Sequence, residues 1–181
     1  MVMYKILGKW FYETISEEES KLTKALSIEK KDKKTLFLEL FSLKTHICLL
    51  VLDGFCNETK RRGMKEEEKL YSHSVRYFIK NANNIIKEIN AYQGESALTK
   101  IEQINHYLYS KGIKKDHVND MRYIDTIVRY FIFRNAEIFH LYDESFEEET
   151  YDMIYFIVYE SIITMITGAF DLFNELPLKI E

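Results

Sequence analysis

The chain has 181 residues and a net charge of −4, with 46% apolar and 30% charged residues. That length supports one domain with a substantial core, and the apolar share excludes a disordered chain. The acidic balance gives no support for tight, static nucleic-acid binding, while leaving room for an enzyme that touches RNA briefly through a local basic patch.

One proline and six glycines are too few to punctuate a sheet protein, so the composition predicts an all-α fold. Thirteen tyrosines and twelve phenylalanines predict a bulky core, with some rings left for an interface. Cys48 and Cys56 make no metal-ligand pattern and read as two buried thiols in a reducing cytosol. Lys5 and Lys9 interrupt the apolar residues of the first ten, so no secretion signal is expected. The run Ile47–Leu52 is far shorter than a membrane span, which leads us to expect a cytoplasmic protein with no membrane association.

In chain order, residues 2–14 read as a short amphipathic helix. Ser16 and Glu19 form a capping box that starts a second helix running to about Lys30, with the lysine-rich run 30–34 as a solvated joint. From Thr35, Leu36, Leu40, Leu43, Ile47 and Leu50 fall at helical spacing. The end of that segment is apolar all round, which predicts a central helix, with a buried strand over 47–52 as the alternative. Gly63 marks a turn, and a long helix over about 65–92 carries Leu70, Val75, Phe78, Ile85, Ile86 and Ile89 inward. A short helix covers 97–110, and the loop after it contains Gly112.

Asn119 or Asp120 caps the next helix, which carries Ile124, Ile127, Val128 and Phe131. Ser145 and Glu148 form a second capping box, with acids at the positive end of the last helix. That helix runs to about Asn174 with Ile154, Ile157, Val158, Ser161, Ile162, Met165, Ala169 and Phe173 inward, and Pro177 prevents its continuation. The expected architecture is one domain over 1–181: an antiparallel helical bundle of four main helices (31–176) with a short N-terminal helical extension (1–30).

The stretch Tyr130–Ser145 departs from this regularity. If the helix from Asp120 continued through Tyr142, Ile124, Val128, Phe131, Ile138 and Tyr142 would form an inward stripe. Asn135 then falls in the middle of that stripe and Arg134 on its border. Arg129, Phe133, Ala136 and His140 fall on the outward side. An exposed Phe133 beside His140 predicts a face covered by another chain, with Phe133 and Arg129 in a dimer interface. On one straight helix Arg134 and His140 stand about 9 Å apart along the axis and about 120° apart in rotation. They address one phosphate only if the helix ends between them, or if two copies share a cleft. The plain alternative pairs Arg134 with Glu137 and leaves His140 at the surface.

These residues resemble the signature of the HEPN superfamily: an Arg, then a polar residue, then a His after four to six intervening positions, here Arg134-Asn135-Ala136-Glu137-Ile138-Phe139-His140. The order of elements around it is similar: a penultimate core helix, an acidic turn and a long last helix. The resemblance is clear over about 130–175. It implies a helical bundle acting as a metal-independent endoribonuclease of toxin–antitoxin, abortive-infection or anti-phage defence type, with a cleft built by a homodimer. It further implies His140 as general acid or base, Arg134 on the scissile phosphate and Asn135 orienting the pair. His140-Leu141-Tyr142 resembles the HEPN toxins partnered by minimal nucleotidyltransferases, in which the Tyr is a modification or supporting site. The five-residue gap differs from the four usual in that subgroup and is nearer to abortive-infection members. A cognate antitoxin or nucleotidyltransferase is the implied partner besides RNA.

No cofactor or metal is expected, since no His/Cys/Asp/Glu cluster falls at ligand spacing. His46, His73, His106 and His117 have no partner at informative spacing and read as structural. Lys60, Arg61 and Arg62 are candidate RNA contacts or else a solvated loop. The rival readings are a non-catalytic helical regulator or inhibitor and, ranked last, an all-α ligand-binding transcription factor, for which no basic recognition helix is visible.

Overall fold

In a computed structural model the described residues are 2–66, 97–113, 120–139 and 148–175, together with 68, 69, 72, 73, 76 and 80. The expected helix over 65–92, with its inward Leu70, Val75, Phe78, Ile85, Ile86 and Ile89, lies largely outside them. Among the described residues the helical elements are α1 (Val2–Ala25), α2 (Lys33–Arg61), α3 (Ala97–Ser110), α4 (Met121–Arg134) and α5 (Glu148–Glu175); residues 65, 66, 68, 69, 72, 73, 76 and 80 are helical too, and there is no strand. The fold is all-α. The alternative of a strand over 47–52 is excluded, because those residues continue α2.

α2 sits at the centre and packs against α1, α3 and α5, while α4 packs against α3 and α5. From Leu36 to Leu52 nearly every residue of α2 is buried. A helix that is apolar all round must be enclosed on every side, and this one is. α1 adds Ile15 and Leu22 to the same core, α4 adds Ile127 and Val128, and α5 adds Ile154, Val158, Ile162, Met165 and Ala169. Ser161 lies on that stripe as expected and donates to buried Glu18 of α1, tying the first helix to the last. Ile157 of α5 is only half-buried, and Phe173 lies among residues whose side chains are not described.

α1 departs from expectation at two points. α1 runs unbroken through Ser16. A capping side chain replaces a missing intrahelical partner, and with helix upstream of Ser16 no partner is missing there. α1 stops at Ala25, before Lys30, where Ser27 takes a left-handed conformation (φ 51°) and Ile28 N–H reaches back to the Thr23 carbonyl. The same terminal wrap ends α2 at Gly63 (φ 74°), with Met64 N–H on the Thr59 carbonyl. It ends α3 at Gly112 (φ 70°), with Ile113 N–H on the Leu108 carbonyl.

α5 opens at Glu148 with Glu148 and Glu149 in its first turn, the expected complement to the helix dipole. Ser145, the other half of that capping box, is outside the described residues. α2 and α5 are both long and apolar enough to cross a membrane by length and composition; 83% of the apolar window of α2 is buried inside the fold, against 39% for α5. Cys48 is buried and Cys56 only half-buried, so the expectation of two buried thiols holds for Cys48 alone.

Candidate functional site

The helix carrying the Arg–Asn pair does not continue to Tyr142. α4 ends at Arg134, and Asn135 is its C-terminal cap. The Asn135 amide N–H reaches the carbonyls of Phe131 and Ile132, and its side-chain Nδ2 donates to the Phe131 carbonyl at 2.7 Å. The Phe131 carbonyl thus accepts from both the backbone and the side chain of Asn135, a doubled bond at the point where α4 stops. Asn135 is 1% exposed, and its Oδ1 finds no partner among the described residues.

Residues 135–139 then form turns that close with Phe139 N–H on the Asn135 carbonyl at 2.9 Å. Ala136, Ile138 and Phe139 are buried, with the Phe139 ring 6.0 Å from that of Phe131. Ala136 therefore leaves the outward side assigned to it on a continuous helix, because the chain has already turned. His140 and Tyr142 lie outside the described residues.

Arg134 is pinned from three directions. Its Nε donates to Glu39 Oε2 at 2.7 Å, its NH1 donates to Gln103 Oε1 at 2.8 Å, and Tyr130 shares a further hydrogen bond with it. The other Glu39 oxygen accepts from Lys100 Nζ at 2.9 Å. α2, α3 and α4 thus meet at one carboxylate. Glu39 and Lys100 are buried, whereas the Arg134 side chain keeps 26% of its surface. Burial pushes the Glu39 carboxyl upward, but Lys100 and Arg134 together hold it below the usual carboxylate range. Burial works against the Arg134 charge, and Glu39 together with Tyr130 more than offsets it. The alternative partner, Glu137, gives way to Glu39, ninety-five positions distant in sequence.

The remaining candidates divide. Phe133 is 69% exposed, as read from its place on the helix. Arg129 is exposed beside it, with Nε 3.0 Å from both Asp125 oxygens and the guanidinium 5.6 Å from the Tyr155 ring centroid. Lys60, Arg61 and Arg62 stand at the far end of α2, with Arg61 and Arg62 both bonded to Glu58. Those two arginines push the Glu58 carboxyl down to about 2. From Glu39 to Arg61 is 22 residues of helix, about 33 Å along the axis. The structure therefore does not bring this basic cluster to Arg134.

Glu39, Lys100 and Gln103 were not among the sequence candidates. One signal was available: Glu39 falls on the stripe of Leu36, Leu40 and Leu43, where a carboxylate requires a buried cation. Among the described residues no group of three His, Cys, Asp or Glu is placed to hold a metal ion. No family model, curated protein or solved structure matches this chain.

Proposed function

We propose that the chain is a HEPN-like antiparallel helical bundle acting as a metal-independent endoribonuclease, with Arg134, Asn135 and His140 as its working residues and a homodimer as its working form. One observation carries this reading: α4 ends at Arg134. A continuous helix would fix Arg134 and His140 on different sides of one rod. The turn at 135–139 removes that obstacle.

In the proposed reaction a base, His140 or its symmetry mate, takes the proton from an RNA 2′-hydroxyl. Imidazole titrates near neutrality and suits that task. The 2′-oxygen attacks the adjacent phosphorus, the bond to the 5′-oxygen breaks, and that oxygen leaves with a proton from a general acid. Arg134 offsets the charge growing on the non-bridging oxygens. The products carry 2′,3′-cyclic phosphate and 5′-hydroxyl ends. The toxin–antitoxin or anti-phage setting, a nucleotidyltransferase partner and a supporting role for Tyr142 are proposals of the same resemblance.

The test is incubation of purified protein with structured and unstructured RNA in the presence of chelator. Cleavage with cyclic phosphate ends is expected, reduced at least about a hundredfold by His140→Ala and by Arg134→Ala while both variants stay folded. Wild-type rates in both variants reject these residues as catalytic.

A second reading has its own support. The Glu39–Arg134 pair joins α2 to α4, a structural task that needs no RNA, and exposed Phe133 and Phe156 suit a protein partner. The second reading is a non-catalytic helical regulator, and absence of cleavage across both RNA classes would favour it.

A further inference from the structure

We infer that Glu39 and Gln103 are positioning residues for Arg134, with Lys100 bound to the far oxygen of the same carboxylate. The inference rests on the proposed RNA-cleaving role of Arg134.

An arginine at a helix end is a long side chain with much rotamer freedom to lose. A phosphate-binding arginine must be held in place, because a misplacement of about 1 Å costs on the order of a hundredfold in rate. Here two different guanidinium nitrogens are gripped by two different helices: Nε by Glu39 of α2 at 2.7 Å and NH1 by Gln103 of α3 at 2.8 Å. Contacts on two nitrogens fix the plane of the guanidinium as well as its position.

Glu39 is itself fixed, because Lys100 Nζ sits 2.9 Å from its second oxygen and is only 2% exposed. Rotation of the carboxylate to follow Arg134 would break its bond to that buried ammonium. The hold is therefore graded by exposure. The buried Glu39–Lys100 pair forms the anchor, half-buried Gln103 adds the second contact, and Arg134 reaches partly into solvent. This order of support, a working group locked by partners that are locked in turn, is what preorganisation requires.

The experiment measures kcat and KM for RNA cleavage in Glu39→Gln and Gln103→Ala, alone and combined with Arg134→Ala, with thermal unfolding to confirm the fold. Each single change is expected to lower kcat by about ten- to a hundredfold, with KM moving much less. Neither should lower the residual rate of Arg134→Ala further, because both act through that guanidinium. If Glu39→Gln does not fold, Gln103→Ala carries the test, since Gln103 lies outside the buried pair. Should both singles keep wild-type kcat while Arg134→Ala is inactive, the positioning role is overturned and the nuclease reading stands. Should Arg134→Ala cleave as wild type does, both fall together.

Discussion

Lys44 lies in the middle of α2 with no exposed surface, an unusual place for an ammonium. Burial lowers its pKa from 10.5 to about 8, with Cys48, Glu18 and Glu17 pulling the other way. The unfolded lysine keeps its proton up to about 10.5, so between the two values only the unfolded chain holds it. Stability should therefore rise with pH across that window, as the folded state stops carrying a buried charge. Lys44→Met keeps the stem and removes the ammonium. It is expected to stabilise the fold by about 1–3 kcal/mol at pH 7. That advantage should shrink as pH rises through 8 toward 10.5. Chemical denaturation of both proteins across this range measures the difference, and a gap that does not change with pH would falsify the assignment. Glu39 is a second buried charge on the same helix, and it accepts hydrogen bonds from Lys100 and Arg134. Sequence spacing shows that both residues fall in the apolar part of α2, but it cannot show that Glu39 meets a guanidinium ninety-five residues away.

Helix ends show how far local chemistry reaches. Gly63 and Gly112 were readable as turns because a left-handed residue is cheap only without a Cβ. A cap at Asn119 or Asp120 was readable, and the structure uses Asp120, whose carboxylate accepts from the Arg122 amide at 2.9 Å. Asp120→Ala should cost about 1 kcal/mol, measurable as a lower unfolding midpoint, whereas Asp120→Ser should recover most of it. A loss no larger than that of a neutral surface substitution would show that α4 is held by packing alone. The ends of α1 and α4 were not readable. Ser27 adopts a conformation that its residue type disfavours, and it does so where Ile28 is drawn into the core. α4 stops at Arg134 without glycine or proline, because the Asn135 carboxamide serves the last turn while Ile138 and Phe139 fold back under it. Both stops depend on burial of the residues that follow, which is a property of the whole core. That is also why spacing alone does not show that the helix stops at Arg134.

At the scale of the whole molecule, α4 and α5 lie side by side in opposite directions. Tyr155 donates to Asp125 at 2.7 Å, and the Tyr159 hydroxyl meets Met121 sulfur at 3.6 Å. Their outer surface carries Met121, Phe133, Met153 and Phe156, all exposed. On the α5 side the charges from Glu148 to Glu175 are all acidic, whereas α4 carries Arg122 and Arg129 outward. A two-fold axis across this surface would set the arginines of one copy against the acids of the other and cover the rings of both. Such a patch satisfies itself, as an isologous interface must. The proposed dimer should therefore sediment at twice the chain mass of 21.7 kDa. Phe133→Glu should shift it to monomer without lowering the monomer's helix content, because that ring contributes little to the core. If the cleft is shared between copies, RNA cleavage should fall with the dimer fraction and recover as protein concentration rises. A Phe133→Glu protein that is monomeric yet fully active would place the chemistry within one chain. A wild-type protein that stays monomeric at every concentration would remove the shared cleft altogether.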